Sequence, residues 1–495
     1  QSEVWRTVSG VCADTQVPAV NKKLIIVGAG VTGLSAGIHA LKKGYDVEIY
    51  EKNDFPGGCC TGWVRKGYYI DNCMHWLTGT NQHTKSFKLW KRLGAIDETS
   101  NLYQGKYFYK STYNGDEISL LTDTKKLHED MIKLSPSDFE EIDKFIKAVD
   151  MLIKANKKEG ILKSSFNTIS GYLNGYLYYH KLSLNELAKK FHHPLLQKLF
   201  TDYLPGDYSA FTLLCAYAVF ASGNGKVYEK GSKQFALNIA NEFTRLGGKI
   251  FYNSAVEKIE IQNDNFKYII SNDKKISGDY LIYAADPMHL FTKLISIKYI
   301  PNALKKKFED KTNNKTVSSF HVAFLVDKNI PFVNEATCIE VEPIKVGKEE
   351  INRLLIKDYP YLYQNKDKKV VQLFIVQNMK DIEYWQELYR NNKEEYKKQK
   401  EKTVNELTNT VVNKFPELKN HFEVIDSWTP MTYNNYFNTY HGSYMGFVFK
   451  KNGMLRKISP RIKGVKNMFF ITYWQTYMGG LPIGARLGED IVNYL

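Results

Sequence analysis

The sequence predicts an α/β fold: a three-layer, Rossmann-type nucleotide-binding domain with an interleaved α+β second domain. Three observations predict it. Leu24–Val27 is a short apolar run, Gly28–Gly33 is a glycine-rich turn opening a helical pattern, and a second strand pattern ends in an acid at Glu51.

Leu24-Ile25-Ile26-Val27 is continuous and mostly β-branched, the pattern of a strand buried on both faces. Gly28-Ala29-Gly30-Val31-Thr32-Gly33 then reads G-x-G-x-x-G. In that spacing Gly28 makes the tight turn, Gly30 lets backbone approach a pyrophosphate, and Gly33 lets helix and strand pack closely. The helix is expected to run to about Lys43 and stop at Gly44. Its first turn, with Val31 and Thr32, presents N–H groups and a positive dipole end to phosphates. Val47–Glu51 is the second strand. Its acid, Glu51, falls about 20 residues after the glycines, where a ribose ligand belongs.

The segments that follow carry a family resemblance. Phe55-Pro56-Gly57-Gly58 comes directly after the acid, and Gly67-Tyr68-Tyr69-Ile70-Asp71 after that, where a simple dehydrogenase would continue its β/α alternation. Val227–Ser232 leads into a helix through Phe235, Leu237, Ile239 and Phe243, followed by strand patterns around Ile250 and at Val256–Ile259. Asp279 to Pro287 is another strand with Asp-Pro at its end, Met468–Thr472 a last strand, and Met478-Gly479-Gly480-Leu481-Pro482-Ile483-Gly484-Ala485 opens a C-terminal helix. Together these resemble the flavoprotein amine oxidase superfamily, in its phytoene desaturase, carotenoid isomerase and retinol saturase branch, over most of residues 21–495. The resemblance implies FAD. It implies that Glu51, Lys52, Gly57, Gly58 and Cys59 run along the ribose and pyrophosphate, and that Val256 meets adenine through its backbone. Ala284 and Asp286 then belong to the returning strand, and Gly479, Gly480, Leu481 and Pro482 to the closing flavin turn. Cys59 and Cys60 stand where many relatives carry Arg. Arg65 or Lys66 is one expected substitute cation, and backbone N–H groups are the alternative.

Bulk properties bound the function. The chain has 495 residues, 43 % hydrophobic, enough for full globular cores. Net charge is +15. No zinc spacing, nucleic-acid signature or basic arm accompanies it, so nucleic acid is not an expected partner. Peripheral attraction to an anionic membrane surface is one reading of the charge, and a solvated basic surface is the other. Six cysteines do not form a disulfide framework in a chain this long, so they are expected reduced in a cytoplasmic protein, with membrane association left open. No run reaches about 18 apolar residues. Residues 1–20 lack a signal-peptide core and are expected to be a disordered leader.

The flavin segments fall in blocks 21–81, 224–289 and 443–495, leaving 82–223 and 290–442 for the substrate-binding domain. Asn114-Gly115 between Tyr107–Tyr109 and Ile118–Leu121 signals a hairpin. Ser137 and Glu140 read as a capping box, before a helix with Ile142, Phe145, Ile146, Val149 and Ile153 on one face. Phe211–Ala221 is nearly all apolar, either a buried helix alone or also a wall of the substrate tunnel. Val317–Val326 and Val370–Gln377 are strands flooring a substrate cavity. Trp385 and Tyr389 share a helix face, and Lys393–Lys402 is an exposed helical stretch.

Redox chemistry would belong to the cofactor, with the protein supplying position and electrostatics. A second nucleotide fingerprint is missing, so an NAD(P)H domain is not expected and the external electron donor or acceptor is unidentified. No metal ligand cluster is expected either. The candidate catalytic residues are His75 and Trp76, in the turn after Asp71, with His75 able to exchange protons near neutral pH. The expected activity is that of an FAD-dependent oxidoreductase (desaturase, saturase or redox-neutral isomerase) acting on C–C or C=C bonds of an apolar polyene or lipid substrate. Two alternatives stand beside it. One is an amine oxidase, with Tyr473, Trp474 and Tyr477 as an aromatic cage. The other is a flavin-binding protein without turnover.

Overall fold

A computed structural model describes residues 22–157, 175–453, 457–476 and 479–495. The expected leader at 1–20 lies outside the described residues, as do Tyr477 and Met478.

The Leu24–Val27 run becomes the central strand Lys23–Val27 of a five-stranded parallel sheet. The spatial order is Met468–Phe470, Tyr280–Tyr283, Lys23–Val27, Asp46–Tyr50, Lys249–Phe251. Successive side chains point to opposite faces, and both faces are covered. Leu24 and Ile26 face the core with Leu34, Ile38, Phe235, Ile239 and Phe243. Ile25 and Val27 face Val256, Ile259, Phe266 and Ile269 of an antiparallel sheet, Val256–Gln262, Asn265–Ser271 and Lys274–Ser277. Helices, parallel sheet and antiparallel sheet are the three layers. Each aliphatic side chain buried here contributes roughly 1.5–3 kcal/mol.

The helix Val31–Lys42 ends two residues before Gly44 and packs against Gly231–Arg245 and the C-terminal helix Leu481–Ile491. Its contact with the C-terminal helix is backbone-close. A Cβ on Gly488 would lie 2.5 Å from Thr32 O, and the Ser35 hydroxyl donates to Ala485 O at 2.6 Å.

A second, seven-stranded sheet runs Phe422–Trp428, Ser318–Asp327, Lys368–Gln377, Glu349–Asp358, Ala336–Val346, Tyr107–Tyr113, Asp116–Leu121. The Asn114-Gly115 hairpin forms with both residues at positive φ (49° and 87°). Three strands of this sheet escaped the sequence reading, the edge strand Phe422–Trp428 and a central pair. Ala336–Val346 and Glu349–Asp358 pair across Gly347-Lys348, and their mixed charges hide the period-2 pattern. Phe211–Ala221 lies in the helix Ala210–Ala221, which packs on the helix Phe139–Lys157. The capping box at Ser137 does not form. Pro136 starts a 3₁₀ turn through Asp138, so the helix begins at Phe139. The buried Asp138 carboxylate instead accepts from Ser135 Oγ (2.6 Å) and the N–H groups of His192 and His193. Lys393–Lys414 is one long helix with Thr403, Val404, Leu407 and Val411 buried.

Candidate functional site

The first glycine turn packs as its spacing requires. Gly28 has φ +101°, and its N–H donates to Tyr50 O at 2.9 Å. A Cβ on Gly33 would lie 2.1 Å from Gly28 O, so helix and strand touch there. Gly30 differs, because a Cβ on it would meet nothing within 4 Å. Gly30 is also the helix N-cap, with no side-chain cap and no acid in the first turn, so the N–H groups at Val31 and Thr32 face an electropositive opening.

The second glycine turn lies alongside. Gly57 N–H donates to Ala29 O at 2.8 Å, and a Cβ on Gly58 would come 3.6 Å from Gly30 Cα. Glu51 stands at the strand end with its carboxylate held by the N–H groups of Ala29 (2.8 Å) and Asn53 (2.9 Å). Burial pushes its pKa up, and those two N–H bonds oppose the shift. Ser254 N–H donates to Glu51 O at 2.8 Å, which sets the strand beginning at Val256 beside the acid. A glycine-lined gap, an uncapped helix N-terminus whose N–H groups donate, and an oriented acid that accepts are what pyrophosphate and ribose require.

The expected substitute cations are elsewhere. Arg65 pairs with Asp426 (2.9 Å) and Lys66 with Glu423, both on the strand Phe422–Trp428. The cause is local. Gly62–Arg65 and Tyr68–Asp71 form a hairpin, and its Lys66-Gly67 turn, at positive φ, carries both cations to that sheet edge. Lys52 donates to Asn435 O (2.9 Å) and Asn438 Oδ1 (3.1 Å), bracing the acid's strand against the helix Pro430–Phe437. Cys59 is half-buried, and burial raises its thiol pKa.

Ala284 O lies 3.0 Å from the place of a Cβ on Gly28, so the returning strand abuts the first turn. Asp286 is buried and works as a brace. It accepts from Met288 N (2.9 Å), Tyr440 N (2.8 Å) and the Trp474 indole (2.8 Å). Burial raises its pKa to about 6. In the closing turn, Gly479 is packed against Met445 O, Gly480 (φ +115°) caps the last helix, and Leu481 and Pro482 open it.

Asp71 fixes the turn that follows it. Its buried carboxylate accepts from Ser232 N (2.7 Å), Ser232 Oγ (2.6 Å), Cys73 N (3.0 Å) and Met74 N (3.2 Å). Asn72 reaches back to Cys59 O (3.3 Å), and its Oδ1 accepts from the Tyr433 hydroxyl (3.0 Å). Trp76 leaves toward the second domain's core, edge-on to Phe108 with centroids 5.2 Å apart. His75 sits edge-on to Phe374 (5.3 Å). Its buried Nδ1 has no hydrogen-bond partner among the described residues. Burial, with Lys357 and His321 nearby, holds its pKa well below the ordinary range, so the imidazole is neutral.

His75 lines a cavity that is open to solvent at its mouth. Tyr103, Phe108, Tyr203, Phe220 and Tyr361 wall it, and Glu335, Lys357 and Asp358 supply its charges. Phe220 answers the question left by Phe211–Ala221, since the buried helix also faces this cavity. On the neighbouring strand, His321 stacks on Trp428 (4.4 Å), and its Nε2 lies within hydrogen-bond distance of Ser319 Oγ (2.7 Å) and Tyr433 Oη (3.3 Å). Burial lowers its pKa to about 3.

A family model described as flavin containing amine oxidoreductase matches residues 31–470. The chain belongs to this family. Its cofactor is FAD, and the open glycine cleft and the oriented Glu51 fit that group. Among characterised relatives, the 4,4'-diaponeurosporene oxygenase of Staphylococcus aureus strain MW2 is 22 % identical over 499 residues, 96 % of this chain and 98 % of that one. The fold is shared with solved structures, among them an isomerase and an oxidase. The conjugated-linoleic-acid-producing fatty acid isomerase of P. acnes has TM-score 0.56 at 12 % identity, over 96 % of this chain and 98 % of that one. Putrescine oxidase bound to putrescine has TM-score 0.55 at 14 % identity, over 96 % of this chain and all of that one.

In this flavin-containing oxidoreductase the suggested aromatic cage does not assemble from the residues described. Trp474 is fully buried, donates to Asp286 and packs on Phe308 and Phe447, and Tyr477 lies outside the described residues. Tyr473 spends its hydroxyl on Ser443 O at 2.8 Å. Sequence reasoning missed Asp71 as an anchor, and Glu335, Lys357 and Tyr361 as cavity wall. The one available signal was a Lys-Asp pair closing the apolar run Leu354-Leu355-Ile356. No group of residues that could hold a metal occurs among those described. None of the described helices is long and apolar enough to cross a membrane.

Proposed function

We propose that this FAD-dependent oxidoreductase acts on C–C or C=C bonds of a long apolar substrate, a polyene or an unsaturated lipid, as in the phytoene desaturase-like branch. The observation that carries the reading is the aromatic-walled cavity that His75 lines, reached by the turn that Asp71 ties to the nucleotide-binding side. The names of the diaponeurosporene oxygenase and the fatty acid isomerase agree with it.

In this reading FAD, when bound, supplies the hydride or electron chemistry. Gly28, Gly30, Val31, Thr32 and Gly33 cradle its pyrophosphate with Gly57, Gly58 and Cys59, and Glu51 holds the ribose. Val256 meets the adenine, while Ala284, Gly479, Gly480, Leu481 and Pro482 close over the flavin end. Lys52 and Asp286 position these segments through their contacts with protein. Blocks 21–81, 224–289 and 443–495 form the FAD domain, and 82–223 with 290–442 the substrate domain. Phe108, Tyr203 and Phe220 exclude water and orient the chain, Trp76 backs that wall, and His75, neutral at rest, takes up a substrate proton on the Nδ1 lone pair and then returns it. The basic surplus favours docking on anionic membrane, where apolar substrates reside. Assaying the FAD-loaded protein against panels of polyenes, unsaturated lipids and amines tests the reading. Turnover confined to amines contradicts it.

A further inference from the structure

We propose that the cavity beneath His75 receives the carboxylate end of an otherwise apolar substrate, with Lys357 as its cation. The inference rests on the apolar-substrate reading above and adds a polar anchor to it.

Lys357 is 7 % exposed, on the strand Glu349–Asp358, and lines the cavity. Among the described residues its ammonium has no hydrogen-bond or ion-pair partner, and the nearest aromatic contact is the Tyr359 ring centroid at 5.1 Å. Three lining residues carry a buried polar atom with no partner among the described residues: His75 Nδ1, Tyr361 Oη and Asp358 Oδ1. Native interiors leave few such atoms unsatisfied, so their concentration around one cavity, beside an ammonium without a partner, points to a ligand there. The acids of the lining hold other partners, apart from Asp358 Oδ1. Glu335 accepts from the Tyr103 hydroxyl (2.9 Å) and from Lys106 N–H (2.9 and 3.0 Å), and Asp358 Oδ2 pairs with Lys369 (2.6 Å). Of the groups without partners, Lys357 and Tyr361 can donate. Donors of this kind select an acceptor-rich anion, and the aromatic walls select an apolar chain behind it. Burial lowers the Lys357 pKa to about 7 against the opposing pull of Asp71 and Glu335, and a bound carboxylate restores its charge.

The test uses FAD-loaded protein and titrates dodecanoate, methyl dodecanoate and dodecanol by calorimetry, with flavin absorbance followed in parallel. Wild type should bind dodecanoate roughly 10- to 100-fold tighter than the ester or the alcohol, the range expected of a charge-assisted hydrogen bond. Lys357→Met should erase that preference and leave ester affinity unchanged, while Lys357→Arg should keep most of it. FAD content and circular dichroism identify variants that fold. Equal binding of acid and ester by wild type, or an acid preference that survives Lys357→Met, overturns the anchor alone. Failure of all three probes to bind overturns the anchor together with the apolar-substrate reading.

Discussion

The Trp474 indole donates to the Asp286 carboxylate at 2.8 Å, deep inside the protein, and joins the returning strand of the nucleotide domain to the segment that enters the last helix. Burial raises the Asp286 pKa to about 6 from 3.8. The folded state therefore holds this proton more tightly than the unfolded chain. The resulting stabilisation is full below pH 4 and is lost as pH rises to about 6, by at most about 3 kcal/mol. Denaturant titrations of wild type and Asp286→Asn across pH 4–7 should diverge by that amount within the window and run parallel above it. Parallel curves throughout would remove Asp286 as a buried titrating brace.

Gly30 and Gly33 should fail differently. A Cβ at Gly30 meets open space, so Gly30→Val should fold and lose FAD, because the branched side chain fills the pyrophosphate gap. A Cβ at Gly33 strikes Gly28 O, so Gly33→Val should lose roughly 1–3 kcal/mol of apoprotein stability. Thermal melts and chromatography of released flavin separate the two outcomes. FAD retained by Gly30→Val would place the cofactor elsewhere.

Much of the nucleotide half was legible because its determinants are local. Gly28 to Glu51 spans one strand–helix–strand unit, and each residue's role follows from its neighbours in sequence. The cavity was not legible. Phe108, Phe220, Glu335 and Lys357 come from chain segments brought together only by the seven-stranded sheet and the helix packed on it. Arg65 and Lys66 were misplaced for a related reason, since proximity in sequence to the glycine pair did not reveal which way their hairpin turns. His75 was visible as a candidate, but its unpartnered Nδ1 and neutral state depend on Lys357, His321 and Phe374, all remote in sequence.

His75→Ala should retain FAD and slow the chemical step by about 10²–10⁴-fold, the usual contribution of a positioned acid or base. Because burial keeps the imidazole neutral, the wild-type rate should show no limb near pH 6.5 that this variant removes. Single-turnover kinetics per flavin-loaded protein would measure both. An unchanged chemical step with lowered stability would make His75 a packing residue.

Sedimentation with liposomes should show binding to anionic but not neutral vesicles, weakening with salt as the Debye length falls below about 8 Å. The net charge of +15 drives this expectation. Equal binding to both vesicle types would remove the electrostatic part.

The most direct test of the account is mass spectrometry of products after FAD-loaded protein is incubated with a polyene, an unsaturated fatty acid and a set of amines. A gained, lost or relocated carbon–carbon double bond in an apolar substrate is the expected result, with amines returned intact. Oxidative deamination of an amine, with every apolar substrate unchanged, would contradict it.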